Sequence, residues 1–210
     1  MPDNRKRKPD YYYYKAKEEG YKSRASYKLI QMQEKFKIFK KGQVVIDLCG
    51  APGGWAQVAK SYVGSKGKII LLDIQPVSDL KGVETYEKDI THPDTSNFIL
   101  DLLDVEKRVD IVMSDCAPKV IGAWHTDQAR QIYLAENALI IGIKLCAKVV
   151  ICKVFEGHGF IELQNIAKKS YSKVRVYKPK ASRKQSAETY VLFSNYRGPD
   201  ALEDLIDYED

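Results

Sequence analysis

Val44-Val45-Ile46-Asp47-Leu48-Cys49-Gly50-Ala51-Pro52-Gly53-Gly54-Trp55 is the stretch that decides the fold of this 210-residue chain. Its first five residues are apolar except for Asp47, which is typical of a strand buried in a sheet. Glycines then mark a tight turn, and a helix is predicted over residues 53–62. A strand, a glycine-rich turn and a helix in this order predict the opening unit of an α/β protein.

The same alternation continues along the chain. Strands are predicted at 44–48, 68–73, 83–88, 109–114, 149–154, 171–177 and 189–194, and helices at 23–36, 53–62, 94–103, 127–146 and after Gly159. Ser23 is a candidate N-cap of the first of these helices, and a further helix could begin at Tyr11. Apolar strands separated by helices predict a mostly parallel sheet that is covered on both faces.

Composition limits the class of protein. With 44% apolar residues the chain can bury one sizeable core, so we expect one folded unit. No apolar run is long enough to span a membrane, and the start of the chain does not resemble a signal peptide, so we expect a soluble, cytoplasmic protein. The four cysteines have no Cys-x-x-Cys spacing, and we therefore expect neither a disulfide nor a zinc framework, and no metal.

Positive charge is concentrated at the start of the chain. Residues 1–41 hold thirteen basic and five acidic residues, a net charge of +8, although the whole chain carries only +6. Four tyrosines at 11–14 and Tyr21 lie among these cations, which suits a phosphate backbone with bases available for stacking. A solvated basic segment is the alternative. A second basic cluster spans 168–184, and the last dozen residues are acidic.

The turn after the first strand is a candidate ligand site. Gly50 and Gly53 let the backbone approach a nucleotide where open α/β sheets hold their ligands. The spacing is not that of a dinucleotide pyrophosphate site, so S-adenosylmethionine, which has no phosphates, fits better than a nicotinamide coenzyme. Asp73 closes the second strand, where it can accept both ribose hydroxyls of an adenosine, and Asp89 closes the third, near an adenine amino group. Trp55 would shape the loop or pack in the core.

Four charged residues fit the chemistry of methyl transfer to a hydroxyl, which needs an aligned acceptor and a base for its proton. A lysine can be that base if burial or a neighbouring cation lowers its pKa. The candidates are Lys153 in an apolar strand, Asp115 at a strand end, Lys28 on the early helix and Glu188 before the last strand. Singly, each could form a surface ion pair, but converging charges indicate an active site because they shift one another's pKa values.

Five ordered segments are similar to those of a known family. They are Ser23-Arg24-Ala25-Ser26-Tyr27-Lys28-Leu29, Asp47-Leu48-Cys49-Gly50-Ala51-Pro52-Gly53-Gly54-Trp55, Ser114-Asp115-Cys116-Ala117-Pro118, Cys152-Lys153-Val154-Phe155-Glu156-Gly157 and residues 182–190. Over residues 11–196 the chain resembles the FtsJ-type (RrmJ-like) ribose 2′-O-methyltransferases of ribosomal and transfer RNA. The chain departs from the common pattern in two segments: many members have Asn at the position of Cys116, and Gly-Ala-Ala-Pro is common where this chain has Cys49-Gly50-Ala51-Pro52. Neither departure affects a proposed catalytic group.

The resemblance implies a Rossmann-like class I methyltransferase fold: a mostly parallel seven-stranded sheet with an antiparallel C-terminal strand and helices on both faces. It implies a catalytic set of Lys28, Asp115, Lys153 and Glu188, with Lys153 as the base. It also implies S-adenosylmethionine contacts from Gly50, Gly53, Trp55, Asp73, Asp89 and Asp115. On this basis we expect an RNA-binding arm at 1–22, a methyltransferase domain at 23–197 and an acidic tail at 198–210.

The expected partner is RNA, since only RNA offers the 2′-hydroxyl. A uridine of large-subunit ribosomal RNA is the favoured target, and the tRNA anticodon loop is the alternative; we expect a monomer that binds neither DNA nor a membrane.

Three other classes of enzyme are disfavoured by the sequence. A 5-methylcytosine enzyme needs a cysteine nucleophile, and Cys116 lacks the sequence context expected of one. An amino-methylating enzyme usually has an Asn-Pro-Pro-Tyr or Asp-Pro-Pro-Tyr motif at this strand end, which is absent here. A nicotinamide dehydrogenase has a different glycine spacing. A non-catalytic RNA-binding module would need neither Lys153 nor Asp115.

Overall fold

The structure is a computed structural model that describes residues 10–77, 80–103, 108–183 and 185–206. Three sequence features lie outside these residues: the basic cluster Arg5–Lys8, Lys184, and the acidic end of the chain at 207–210. None of the helices within the described ranges combines the length and apolar character needed to cross a membrane.

Strands and helices alternate along the chain, as the sequence predicts. In order they are α1 (Tyr11–Glu18), α2 (Ser26–Phe36), β1 (Val44–Leu48), α3 (Gly54–Val63), β2 (Lys68–Asp73), β3 (Glu84–Glu87), α4 (Thr95–Asp101), β4 (Ile111–Ser114), α5 (Trp124–Lys144), β5 (Val149–Phe155), α6 (Phe160–Ser170), β6 (Tyr171–Tyr177), β7 (Glu188–Tyr196) and α7 (Leu202–Ile206). Predicted and observed bounds differ by up to three residues, and the largest differences are at the starts of α2 and α5.

The strands form one seven-stranded sheet in the order β3-β2-β1-β4-β5-β7-β6. Pairing is parallel from β3 through β5, and β7 is antiparallel to both β5 and β6. The expected α/β, Rossmann-like architecture with an antiparallel C-terminal strand is therefore confirmed. Because the parallel strands all point the same way, their carboxyl ends meet at one edge of the sheet, where open α/β sheets bind ligands.

Helices cover both faces of this sheet, and each face has its own apolar core. On one face α2 and α3 pack through Leu29, Met32 and Trp55 against Val45, Ile151 and other strand residues. The opposite face is covered by α4, α5, α6 and α7. Alternate residues of a strand point to opposite faces, so Ile151 belongs to the first core and Val150 to the second.

Two expectations about local structure were wrong. Ser23 does not cap α2; the N-cap is Ala25, and no side chain caps this helix. The chain also contains a disulfide, Cys49 to Cys116, although the cysteine spacing predicted none. These residues follow β1 and β4, which are adjacent and parallel with Leu48 opposite Ser114, so their Cα atoms lie 5.2 Å apart. A separation of 67 residues hides this neighbourhood from any search for local cysteine motifs.

Candidate active site

Three strands bring the expected catalytic residues together at the carboxyl edge of the sheet. Asp115 directly follows β4, and Ser114 lies opposite Cys152 of β5, so Asp115 is next to Lys153. On the other side of β5, antiparallel β7 places Tyr190 opposite Lys153. Glu188 is two residues before Tyr190 and therefore on the same face of the sheet. That face is the one that α2 covers, which lets Lys28 reach the strands from above.

The four side chains form a connected set of ion pairs. Lys28 Nζ is 2.7 Å from Glu188 Oε1 and 4.0 Å from Asp115 Oδ1, and Lys153 Nζ is 3.2 Å from the same Asp115 oxygen. Lys153 is only 6% exposed and Lys28 only 9%. Lysines are almost never this buried unless they are paired, and here they are paired with two carboxylates whose side chains are 13–20% exposed. The structure thus brings together all four residues that the sequence predicted.

Tyr190 is a fifth member of this group, which the sequence analysis missed. Its hydroxyl donates to Asp115 Oδ1 at 2.5 Å, its ring lies against Trp55, and the Lys28 ammonium is 5.6 Å from the ring centre. A signal was present, because Tyr190 lies two residues after Glu188 in a strand and so shares its face. It was overlooked because a tyrosine in an apolar strand looks like a core residue.

The surroundings of Asp115 keep it ionised. Burial alone would raise its pKa, but the Lys153 and Lys28 ammonium groups and the Tyr190 hydroxyl outweigh burial and hold the pKa of Asp115 below its ordinary value. The same environment acts in the opposite direction on Tyr190, whose pKa is raised well above its ordinary value by burial and by the adjacent carboxylates. The hydroxyl therefore stays protonated and remains a donor to Asp115.

Lys153 is held in place from both ends. Its ammonium donates to the backbone carbonyl of Asp115 at 2.6 Å, and the Gln131 side chain of α5 donates to the Lys153 carbonyl at 2.9 Å. The first contact connects β5 to the loop after β4, and the second connects β5 to the helix on the opposite face. Such support fixes the position of the amine, which matters because catalysis depends strongly on placement.

The glycine-rich turn lies beside this group, between β1 and α3. Gly53 has φ of +106°, a conformation that favours glycine, and a Cβ there would lie 2.3 Å from Leu80. A Cβ on Gly50 would lie 2.5 Å from Leu71 and 2.9 Å from Asp47 Oδ2. Both glycines are thus required by close packing around the loop, and their contact with a cofactor stays a prediction.

Trp55 belongs to the core. It is 3% exposed, and its indole N–H donates to the Ala25 carbonyl at 2.9 Å. This bond joins the first turn of α3 to the start of α2, and therefore joins the glycine-rich turn to the helix that holds Lys28. The core interpretation of Trp55 agrees with this position, while a direct cofactor contact is untested.

The two other expected cofactor carboxylates occupy different environments. Asp73, at the end of β2, is buried and accepts from the backbone N–H groups of Ala51 and Gln75, both at 2.9 Å. A cavity of about 290 Å³ opens beside it, lined by residues of the glycine-rich turn and of the loop after β2. Asp89 is exposed and accepts from the Thr91 N–H and hydroxyl. Asp73 thus lines a cavity and Asp89 does not, and the contact of either residue with a cofactor stays a prediction.

Asp47 is a second residue that the sequence analysis did not single out. Its carboxylate is almost fully buried in β1, and its Oδ2 has no hydrogen-bond partner among the described residues. Burial, with the charges of Asp115 and Asp73, raises the pKa of Asp47 well above its ordinary value. An unpartnered acidic oxygen beneath the glycine-rich turn suits a cationic ligand, and S-adenosylmethionine carries both a sulfonium and an ammonium. The residues present therefore fit this cofactor.

The chain is similar to known ribosomal RNA methyltransferases. Ribosomal RNA large subunit methyltransferase E of Methanocaldococcus jannaschii is 44% identical over 197 residues, which cover 91% of this chain and 80% of that protein. The protein of the same name from Francisella tularensis is 38% identical over 191 residues, or 90% of this chain and 92% of that protein. A crystal structure of a ribosomal RNA methyltransferase from Plasmodium falciparum superimposes with a TM-score of 0.73 at 26% identity, covering 85% of this chain and 100% of that one.

The family profile of FtsJ-like methyltransferases matches residues 21–196. This range contains the glycine-rich turn, the four charged residues at the carboxyl edge and Tyr190. The match spans well over half of the chain, and it includes every strand of the sheet. The chain belongs to the FtsJ-like methyltransferase family and is a methyltransferase.

Proposed function

We propose that this methyltransferase uses S-adenosylmethionine to methylate a ribose 2′-hydroxyl, on a uridine of large-subunit ribosomal RNA. The observation that supports the proposal most directly is the pair of nearly buried lysines that face Asp115 and Glu188 beside the glycine-rich turn. Attack by a hydroxyl on a methyl group requires a base at the hydroxyl and little help elsewhere, because the sulfonium of the cofactor supplies a methyl group that is already activated. The cluster offers the Lys153 amine for that task and the Asp115 carboxylate to orient it.

In the proposed mechanism the Lys153 ammonium first releases a proton to solvent, and the neutral amine that results accepts the proton of the ribose hydroxyl. Asp115, which its neighbours keep ionised, is 3.2 Å from this amine and stabilises the ammonium that forms. The Tyr190 hydroxyl occupies one face of the Asp115 carboxylate and restricts its rotation. These contacts favour the state after proton transfer, so they lower the barrier and not merely the energy of the bound substrate.

Lys28 and Glu188 have a different part in this proposal. Their ion pair of 2.7 Å closes the side of the site that faces α2, and Lys28 also contributes positive potential at Asp115. Positive potential near the acceptor oxygen stabilises the charge that develops as its proton leaves. We therefore propose that Lys28 stabilises the charge on the acceptor oxygen and that Glu188 orients Lys28.

RNA is the proposed substrate because of the surface around this site and the names of the relatives. Tyr11, Tyr13 and Tyr14 of α1 are 47–69% exposed, and α1 packs on α2, the helix that holds Lys28. Exposed aromatic rings among lysines can stack on bases while the cations contact phosphates. The curated relatives act, by their names, on large-subunit ribosomal RNA, which favours that RNA over the tRNA alternative. A cytoplasmic location and a monomeric state remain predictions.

Cys116 gives no support to a 5-methylcytosine mechanism. It is 2% exposed and is bonded to Cys49, so its sulfur is not available as a nucleophile. A non-catalytic RNA-binding role has no use for lysines that are buried at an ion-paired sheet edge. The observation that separates the remaining alternatives is the identity of the modified nucleotide.

The experiment is to incubate the full chain with methyl-labelled S-adenosylmethionine and separate preparations of ribosomal RNA, large ribosomal subunits and tRNA. We expect label in large-subunit ribosomal RNA, at a nucleotide that resists alkaline cleavage because its 2′-oxygen is methylated. Label on a base or in tRNA would refute the proposed substrate. Label that persists in a Lys153→Met variant would refute the proposed base.

A further inference from the structure

A second large cavity lies at the opposite edge of the sheet, where the parallel strands begin. Its volume is about 900 Å³, which is within the range of cavities that bind small ligands. The floor is apolar and includes Phe36, Leu145, Val149, Leu192 and Tyr196. We call it the amino-edge cavity. None of the residues assigned above to the reaction or to the cofactor lines it.

The rim of the amino-edge cavity is strongly basic. Six cationic residues line it: Lys37, Lys40, Arg108, Lys144, Lys148 and Arg175. No acidic residue is among the lining residues of the described chain, and only Lys148 forms an ion pair there, at 2.7 Å from Asp110 Oδ1. Cations that no described residue neutralises raise the local concentration of anions. The rim therefore indicates a ligand with several negative charges.

We propose that the amino-edge cavity binds an unpaired nucleotide of the RNA substrate, with its base on the apolar floor and the flanking phosphates on the basic rim. This inference rests on the proposed function, because it takes RNA as the substrate. Five of the six rim cations have no ion-pair partner among residues 10–77, 80–103, 108–183 and 185–206. Such cations above an apolar, partly aromatic floor match single-stranded RNA, in which bases stack on rings and phosphates contact lysine and arginine. A free inorganic anion would use only the rim, and an apolar peptide only the floor.

The position of the cavity gives this contact a role in choosing the substrate. Val149 begins β5 and Lys153 is four residues further along the same strand, so roughly 13 Å separates the two sites. An RNA that occupies both sites therefore has to follow the protein surface from one edge of the sheet to the other. The cavity thus selects RNA that presents a second unpaired nucleotide, without a part in the reaction itself.

Cys146 allows a direct test without any substitution. It lines the cavity and is a free, exposed thiol, whereas Cys152 is buried and the other two cysteines are bonded to each other. A maleimide therefore labels Cys146 selectively in the native full chain, and a Cys146→Ser variant checks the selectivity. We expect protein-free large-subunit ribosomal RNA, at a concentration that saturates binding, to slow the labelling about tenfold.

Charge removal provides the second test. The variant Lys40→Gln/Arg108→Gln/Lys144→Gln neutralises three exposed rim residues, and Lys66→Gln/Lys168→Gln/Lys173→Gln removes equal charge from exposed positions near the starts of β2 and β6, outside the cavity. We expect the rim variant to weaken RNA binding about tenfold or more and to lower the salt slope of log K by about two. KM for RNA should rise while kcat stays near wild type, and the matched control should change each value less than threefold.

Several outcomes would overturn the inference. One is an unchanged labelling rate of Cys146 at saturating RNA, and another is equal weakening in the rim variant and its control. Protection of Cys146 by intact ribosomal subunits but not by protein-free RNA would assign the cavity to a protein, and protection by a nucleoside monophosphate but not by RNA would assign it to a free nucleotide. If the wild-type protein methylates ribosomal RNA and Cys146 is unprotected, this inference alone fails. If it methylates no ribosomal RNA, the proposed function fails first.

Discussion

The two edges of the sheet hold lysines in opposite ways. At the carboxyl edge, Lys28 and Lys153 are less than 10% exposed and each is paired with a carboxylate. At the amino edge, Lys40 and Lys144 are exposed and have no ion-pair partner among the described residues. The first arrangement fixes the positions of charges and largely cancels them. The second leaves positive charge free to act on a partner.

This difference predicts which measured quantities should change when residues at each edge are substituted. A buried, balanced group has little effect at a distance, so its variants should change the chemical step or the stability of the fold. Exposed, unbalanced cations act on affinity and on its salt dependence. Substitutions at the carboxyl edge should therefore lower kcat with little change in the binding of RNA.

The largest effect is expected from Lys153. Lys153→Met removes the amine and should lower kcat about a thousandfold, equivalent to about 4 kcal/mol. Lys153→Arg retains the charge beside Asp115 but cannot give up a proton, and it should be almost as inactive. Single-turnover methylation at saturating RNA measures both, and Lys173→Met on β6 serves as the control. An arginine variant with activity near wild type would mean that charge, and not proton transfer, is the contribution of Lys153.

Asp115→Asn should have the next largest effect. The neutral amide leaves the ammonium groups of Lys28 and Lys153 with less compensation, which should lower the free energy of unfolding by about 2–3 kcal/mol and kcat about a hundredfold. Urea unfolding and initial rates measure the two losses. The matched control is Asp94→Asn, which removes an exposed partner of Lys88 at 4.0 Å and should cost less than about 0.5 kcal/mol. Equal losses in the two variants would contradict the distinction between buried and exposed pairs.

The sequence predicts the carboxyl edge much better than the amino edge. Lys153 and Asp115 could be placed because each lies at the end of a strand, and the ends of parallel strands meet at one edge. The order of strands, the antiparallel β7 and the approach of Lys28 could be anticipated from the five similar segments. In that region the local pattern and the tertiary arrangement are linked by the regular geometry of the sheet.

Other features could not be read from local patterns, because they depend on residues far apart in the chain. The rim of the amino-edge cavity collects residues from around α2, β4, the end of α5 and β6, and none of them lies in a recognisable motif. The bond between Cys49 and Cys116 depends on the neighbouring positions of β1 and β4. Tyr190 was missed for another reason: its spacing from Glu188 places it on the same face, but a tyrosine in an apolar strand looks like a core residue.

Tyr190→Phe tests this missed contact. The variant keeps the ring against Trp55 and removes only the hydroxyl, so it should lower kcat about tenfold and the free energy of unfolding by about 1–2 kcal/mol. The pKa of Asp115 should rise toward its ordinary value, because one stabilising donor is lost. Tyr171→Phe is the control: its buried hydroxyl donates to the Ala147 carbonyl at 3.0 Å, and its loss should cost stability without affecting kcat. A tenfold loss of kcat in both variants would mean that the Tyr190 hydroxyl makes no specific contribution to catalysis.

The smallest expected effect concerns Asp47, whose substitution should raise the free energy of unfolding instead of lowering it. Because burial and neighbouring carboxylates raise the pKa of Asp47 above its unfolded value, the folded state holds a proton that the unfolded chain releases. The stability that this proton provides is fully present below the unfolded pKa of about 4 and is lost as the pH rises through the higher folded pKa. Asp47→Asn has no such loss, so it should be more stable than wild type by about 1 kcal/mol at high pH.

The gain in stability should depend on pH, which distinguishes it from a general effect of the amide. Urea unfolding between about pH 5 and pH 9 should show the advantage of Asp47→Asn widening as the pH rises and then levelling off. Asp101→Asn, at an exposed position of α4, should show no such trend. A constant difference at every pH would mean that Asp47 is not destabilised in its charged form. If the trend is found and the variant also binds S-adenosylmethionine more weakly, the unpartnered carboxylate reduces stability in the free protein because it serves the bound cofactor.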